Sequence, residues 1–246
     1  LRQADPLFAS LQRAIVAAVR ALPVDADGLI GGRSATSILK EIDLPGAVAA
    51  QIGALSEPAI LSASPLLDEL GLAVPAVSRR AKLVFAQRAM KEVEVVTKSL
   101  NKGLAGLLNQ AASTPIPRGQ LARIAADLTQ QPLAQARTVT STALGGLQRQ
   151  TAAQAASQLP GDVYWLYVGP DDRATRGFCH ELEGYALAAG QRRRLKNGQG
   201  LPTNSYGGGY NCRHSWVPVT EAYIKAAGVP KATDARIARA NAAGRR

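Results

Sequence analysis

Leu83, Ala86, Met90, Val93, Thr97, Leu100, Leu104, Leu107 and Ala111 recur at alternating spacings of three and four residues. This spacing places all nine on one stripe of a helix, and such a stripe has to be covered by a second helix. It predicts a helix over residues 77–112, roughly 50 Å long at 1.5 Å per residue. Pro115 and Pro117 end it, because proline has no N–H to donate and its ring clashes with the preceding turn. A second long helix is expected over 119–158, through Leu121, Ile124 and Leu128, interrupted near Pro132 and resuming through Leu133, Val139, Leu144 and Leu147. The short link between the two predicts an antiparallel helical hairpin in preference to a seam that serves a partner chain. Pro6–Leu22 and Ser34–Leu55 read as shorter helices, with Ser34 as N-cap of the second.

Composition then divides the chain. Nine of the eleven aromatic residues fall between Tyr164 and Tyr223, after 160 residues rich in Ala, Leu and Gln. The first part favours helices and the second favours strands and turns. The expected class is therefore α+β: a helical domain over 1–160, a small α+β module over 161–224, and a basic tail over 225–246. Within the module, Asp162–Val168 predicts a strand stopped by Gly169-Pro170. Asp171 and Asp172 are expected to cap a short helix running through Cys179 and His180 to Gly184. Gly207–Gly209 lead into a strand ending at Val219, placed at a sheet edge by Pro218. Thr220 caps a following helix.

Lys and Arg number 29 against 18 Asp and Glu, a formal charge of +11. A basic surface of this kind attracts polyanions, so nucleic acid is the expected partner class. The candidates are Arg192, Arg193, Arg194 and Lys196, and Arg236, Arg239, Arg245 and Arg246 in the tail. With 46% apolar and 19% charged residues the chain is not disordered. Runs free of charged residues reach at most 16 positions, short of the roughly 18 apolar residues a spanning helix needs, so no membrane partner is expected. Arg2, Arg13 and Arg20 are scattered through an amphipathic opening segment, which argues against a secretory signal. The absence of an initial Met suggests a longer translation product.

The only two cysteines and two histidines form tight pairs, Cys179-His180 and Cys212-Arg213-His214. Four N or S ligands suit zinc in number, but adjacent residues such as Cys179 and His180 diverge, and ligand pairs normally lie two to four residues apart. A Cys179–Cys212 disulfide would close a loop of roughly 34 residues and stabilise by about 3 to 4 kcal/mol. Two reduced cysteines packed together is the plainer alternative. A cysteine nucleophile with a histidine base is a third reading. No Walker A, G-x-S-x-G or H-E-x-x-H motif occurs. The expectation is no catalysis, no cofactor and no bound metal. Asp172, Arg173, Thr175 and Arg176 at one end, and Asn211, Arg213 and His214 at the other, predict a fastening in which Asp172, Arg173 and Arg213 tie the loop ends together.

Asp172-Arg173-Ala174-Thr175-Arg176, Cys179, Leu182-Glu183-Gly184, Gly209-Tyr210-Asn211-Cys212-Arg213-His214 and Val217-Pro218-Val219 together resemble the Mu F-like minor head protein family of tailed phages. Arg137-Thr138-Val139 and Gln148-Arg149 extend the resemblance to about Arg137–Val219. Here Ala174 separates Arg173 from Thr175, and His214 stands where cysteine is common. The resemblance implies that Asp172, Arg173, Thr175, Cys179, His180, Gly184, Asn211, Cys212, Arg213 and His214 form the structural motif of the module. It implies a minor capsid protein made in the host cytoplasm and carried inside the virion head near the portal. Its partners would be the portal protein, the major capsid protein and packaged DNA, and its role head morphogenesis with DNA packaging or ejection. The alternative is a Cys/His-dependent enzyme or toxin-like effector, or a zinc-stabilised nucleic-acid-binding module.

Overall fold

The computed structural model describes residues 5–22, 43–68, 71–77 and 79–245. The predicted cap Ser34, the first part of the helix expected over 34–55, and Arg246 lie outside them. The chain forms two units, one of Leu1–Ile52 with Ala86–Ser141, the other of Gly53–Phe85 with Thr142–Arg246.

The helical part consists of α1 (Asp5–Arg20), α2 (Leu44–Leu61), α3 (Ser64–Asp68), α4 (Arg79–Ser113) and α5 (Arg118–Ala155), the last extended by a 3-10 turn over Ala156–Gln158. The proline-containing link between α4 and α5 is the expected one. Built on the backbone, a Cβ at Gly103 would lie 3.6 Å from Leu128, and one at Gly146 would lie 2.3 Å from Phe85. Both pairs are equidistant from the link, the register of an antiparallel hairpin. The seam differs at its start from the predicted one. Leu83 is 54% exposed, while Phe85, Ala89, Val93, Val96, Leu100 and Leu104 are buried. Phe85 offers more apolar area than Leu83, and the missing side chain at Gly146 makes room for its ring, so the helix turns that face inward. The interruption expected at Pro132 does not occur, and α5 runs through it. One lost hydrogen bond is tolerated where Thr129 before the proline and Leu133 after it are both buried.

Helix α2 carries its own correction. Its 18 residues average a hydropathy of 1.2, enough by length and composition to cross a membrane, the one such helix among the described residues. Glu57, which limits the uncharged run in the sequence, pairs with Lys82 at 2.7 Å.

In the second unit, β1 (Val163–Val168) is central in a sheet of order β2-β1-β3, with β2 (Ala186–Ala188) and β3 (Ser215–Thr220) both antiparallel to it. Pro218 sits in the edge strand β3, where no second neighbour needs its missing N–H. Tyr167 faces Trp216 and Trp165 faces Pro218 across the ladder. That face packs with Phe178, Cys179 and Leu182 from α6 (Gly177–Leu182). On the other face Val217 and Val219 meet Ile224 of α9 (Glu221–Ala227). Between them lie α7 (Ala189–Arg193) and α8 (Thr203–Tyr206). Thr220 caps α9 as predicted, accepting from the Tyr223 N–H. The basic segment after it includes α10 (Asp234–Ala243), which buries Ile237 and Ala240 in the same core as Phe178. The expected capping of α6 by Asp171 and Asp172 is not seen. Its N-cap is Arg176 without a side-chain bond, and the Asp172 carboxylate closes its own turn by accepting from the Ala174 N–H.

Candidate metal centre

Cys179 lies on α6, tilted inward because Phe178 and Leu182 anchor that face of a six-residue helix. Cys212 and His214 lie on the approach to β3, where Trp216 is wholly buried and fixes the strand. The Trp216 indole N–H donates to the Thr203 carbonyl at 2.8 Å. Folding thus brings together two sulfurs 33 positions apart. Their separation is 3.8 Å, and one ligand atom each from Cys179, Cys212 and His214 lies within 4.8 Å of the others.

Tyr167 sits beneath the sulfurs, its hydroxyl 3.4 Å from Cys179 Sγ and 3.3 Å from Cys212 Sγ. Its ring stacks on His214 with centroids 5.1 Å apart at 15°. The Gly208 N–H donates to Cys212 Sγ at 3.1 Å. A Cβ at Gly208 would lie 2.3 Å from Cys179 Sγ, so only glycine lets the backbone come this close. Arg176 secures the glycine turn by donating to the Tyr210 carbonyl at 2.5 Å and the Gly208 carbonyl at 3.4 Å.

Arg149 of α5 is 3% exposed, and its guanidinium donates to the carbonyls of Ser205 (3.3 Å), Cys212 (2.6 Å) and His214 (2.9 and 2.7 Å). A planar, permanently charged donor set matches several converging carbonyls, which Lys would not. It also places a positive charge beside Cys212. The hydrogen bond with Cys179 pulls the Cys212 thiol below its ordinary value; burial opposes this and Arg149 adds to it. The same hydrogen bond, then burial, pushes Cys179 up. Burial, reinforced by the two sulfurs, raises Tyr167 well above its usual value.

His214 is 2% exposed, and its Nε2 has no hydrogen-bond partner. Glu183 Oε2 lies 3.4 Å away, within ion-pair range but not aligned as a hydrogen bond. Burial raises the Glu183 carboxyl above its ordinary value, opposed by the Gly169 N–H and by His214.

The structure sorts the predicted site residues. Cys179, Cys212 and His214 converge; His180 does not, its exposed ring pairing with Asp171 at 2.9 Å. The divergence of Cys179 and His180 is the expected one. The fastening forms between Asp172 and Arg213, two-pronged at 2.6 and 2.5 Å. Thr175 donates to the Pro170 carbonyl at 2.7 Å. Arg173 is exposed and takes no part in the fastening, where Arg176 serves instead. Gly184, at φ 76°, donates to the Tyr167 carbonyl, and Asn211, at φ 54°, donates through its N–H to Thr142. Sequence reasoning does not place Arg149, Tyr167, Arg176, Glu183 or Gly208 at the sulfurs. An arginine among apolar residues on the inner face of a helix is the one signal that points to Arg149.

The expectation of a module without catalytic or metal-binding capacity is corrected by the convergence of Cys179, Cys212 and His214. Ligand spacing along the chain argued against zinc, but ligands need proximity in space, and Cys179 finds its partners across the module. The donor set suits a soft divalent ion. In tetrahedral zinc sites, with Zn–S near 2.3 Å, two sulfurs stand about 3.8 Å apart, the separation seen here.

No family model, curated protein or solved structure matches the chain.

Proposed function

We propose that residues 142–245 carry a metal-binding module in which Cys179, Cys212 and His214 hold one zinc ion, with Tyr167, Gly208 and Arg149 ordering the ligands. The observation that carries this reading is the meeting of two sulfurs and an imidazole within 4.8 Å. Three protein ligands leave a fourth coordination position, at which bound zinc would supply Lewis acidity. The Gly208 N–H, which donates to Cys212 Sγ, and the nearby charge of Arg149 favour the thiolate that such a site requires. The test is elemental analysis of the full chain purified from zinc-supplemented culture, followed by cobalt substitution. One zinc per chain, lost in Cys212→Ser and His214→Ala, with a thiolate-to-cobalt charge-transfer band, supports the reading. A metal-free chain whose melting temperature does not respond to added zinc overturns it.

The motif resemblance supports a second reading, that the module serves in a minor head protein of a tailed phage, at the portal and inner capsid. What favours it is the Asp172–Arg213 pairing, which joins the two segments that carry the resemblance. Co-assembly with co-expressed tailed-phage portal and capsid proteins, with incorporation lost in Arg213→Ala, is its test.

A further inference from the structure

The basic residues around α7 and α10 do not share one fate. Arg194 pairs with Asp234, and Arg236 and Arg239 both pair with Glu181 at 3.2 Å. Arg192 lies over the Trp165 ring, 3.5 Å from its centroid, with its ionisation lowered by burial to about 10. Arg193, Lys196 and Arg245 differ. They are exposed, no carboxylate pairs with them among the described residues, and they line one cleft of about 720 Å³ together with Thr203 and Asn204 and no acidic residue.

The cleft is built in advance. Asn197, 4% exposed, donates to the carbonyls of Leu201 and Gly207 at 2.9 and 3.0 Å and accepts from the Gln199 N–H. The Lys196 N–H donates to the Asn241 side chain at 2.7 Å, and Asn241 donates to the Arg194 carbonyl at 3.0 Å. These bonds tie the loop to α10 and set Arg245 beside Lys196, 49 positions away in sequence. Little ordering is left to be done when a ligand arrives.

We infer that this cleft is a docking site for the phosphodiester backbone of nucleic acid, with Arg193, Lys196 and Arg245 each meeting a phosphate. Three uncompensated cations at fixed positions, in a chain of net charge +11, favour a polyanion over a single small anion. Contacts to phosphate carry no base information, so the site is sequence-independent. The inference stands apart from the metal-centre reading, since none of the three cations touches Cys179, Cys212 or His214.

The test is fluorescence anisotropy of a labelled 20-base-pair duplex with the full chain across 50–200 mM salt, repeated with the matching single strand. The wild type is expected to bind the duplex, and the triple variant R193A/K196A/R245A to bind it about 100-fold more weakly near 0.1 M salt. The slope of log affinity against log salt should be shallower in that variant by about 2 to 3, near 0.9 for each phosphate that the variant no longer neutralises. A control removing equal charge, K91A/K98A/K102A, should lose less than tenfold. Equal losses in the two variants would show diffuse attraction and overturn the inference, as would failure of the wild type to bind either form of DNA at 50 mM salt. Zinc content measured in parallel should be unchanged by the triple variant.

Discussion

Cys179 and Cys212 stand with their sulfurs 3.8 Å apart, and the hydroxyl of Tyr167 touches both. Neither partner is placed by its neighbours in sequence alone. Cys179 is set by the packing of α6 on the sheet, and Cys212 by a glycine turn and by a guanidinium projecting from α5. Changes well away from the sulfurs are therefore expected to reach them.

Arg149 is the clearest case. Its guanidinium donates to the carbonyls of Cys212 and His214 in a buried setting. Hydrogen bonds to a charged group are worth about 1.5 to 3 kcal/mol, and stranding buried acceptors adds to the loss. Arg149→Ala is expected to destabilise the chain by about 3 kcal/mol or more, with Arg149→Lys recovering only part. Urea denaturation of the three proteins checks this; a loss under 1 kcal/mol in the alanine variant would mean that water replaces the guanidinium freely.

The seam of α4 makes a second prediction because two neighbouring apolar residues have opposite fates. Phe85→Ala should cost about 3 to 5 kcal/mol, as large-to-small changes in a packed core do. Leu83→Ala, at a position 54% exposed, should stay within about 0.5 kcal/mol. Thermal melts of both variants suffice, and equal destabilisation would point back to the seam read from heptad spacing.

Asp172 and Arg213 give a pH dependence. The hydrogen bonds from Arg213 hold the Asp172 carboxyl well below the usual carboxylate range. A carboxyl depressed in the folded state contributes stability that is present above its unfolded value, near 3.9, and is lost as pH falls toward the folded one. Both side chains are partly exposed, so salt weakens the pair. The melting-temperature gap between wild type and Asp172→Asn should be widest near neutral pH, narrow below pH 4, and shrink in 0.5 M salt. A gap constant from pH 7 to 2 would show that the pair acts through shape and not charge.

Much of the fold was legible along the chain. The α4–α5 hairpin followed from apolar spacing and Pro115 and Pro117, because helical periodicity is local and a short link leaves two long helices one way to meet. β1, the edge position of Pro218 and the Thr220 cap were legible for the same reason. The start of the α4 seam was not, since Leu83 and Phe85 both suit an apolar stripe. Only the space left at Gly146 settles which one turns inward.

The candidate site was legible as an inventory and not as an arrangement. By itself the sequence determined that the chemistry-bearing residues are Cys179, His180, Cys212 and His214, that they lie in an aromatic-rich α+β module, and that Asp172, Arg173 and Arg213 suit a fastening of the loop ends, from which the structure leaves out Arg173. The tertiary structure decided that His214 joins the sulfurs while His180 turns to Asp171, that Arg149 braces the ligands, and that Arg193, Lys196 and Arg245 share a cleft. The reason is physical: the angle between adjacent side chains is set by the local backbone, whereas closeness between residues 33 to 65 positions apart exists only once α5, α6, α10 and the sheet have packed and fixed where their side chains end.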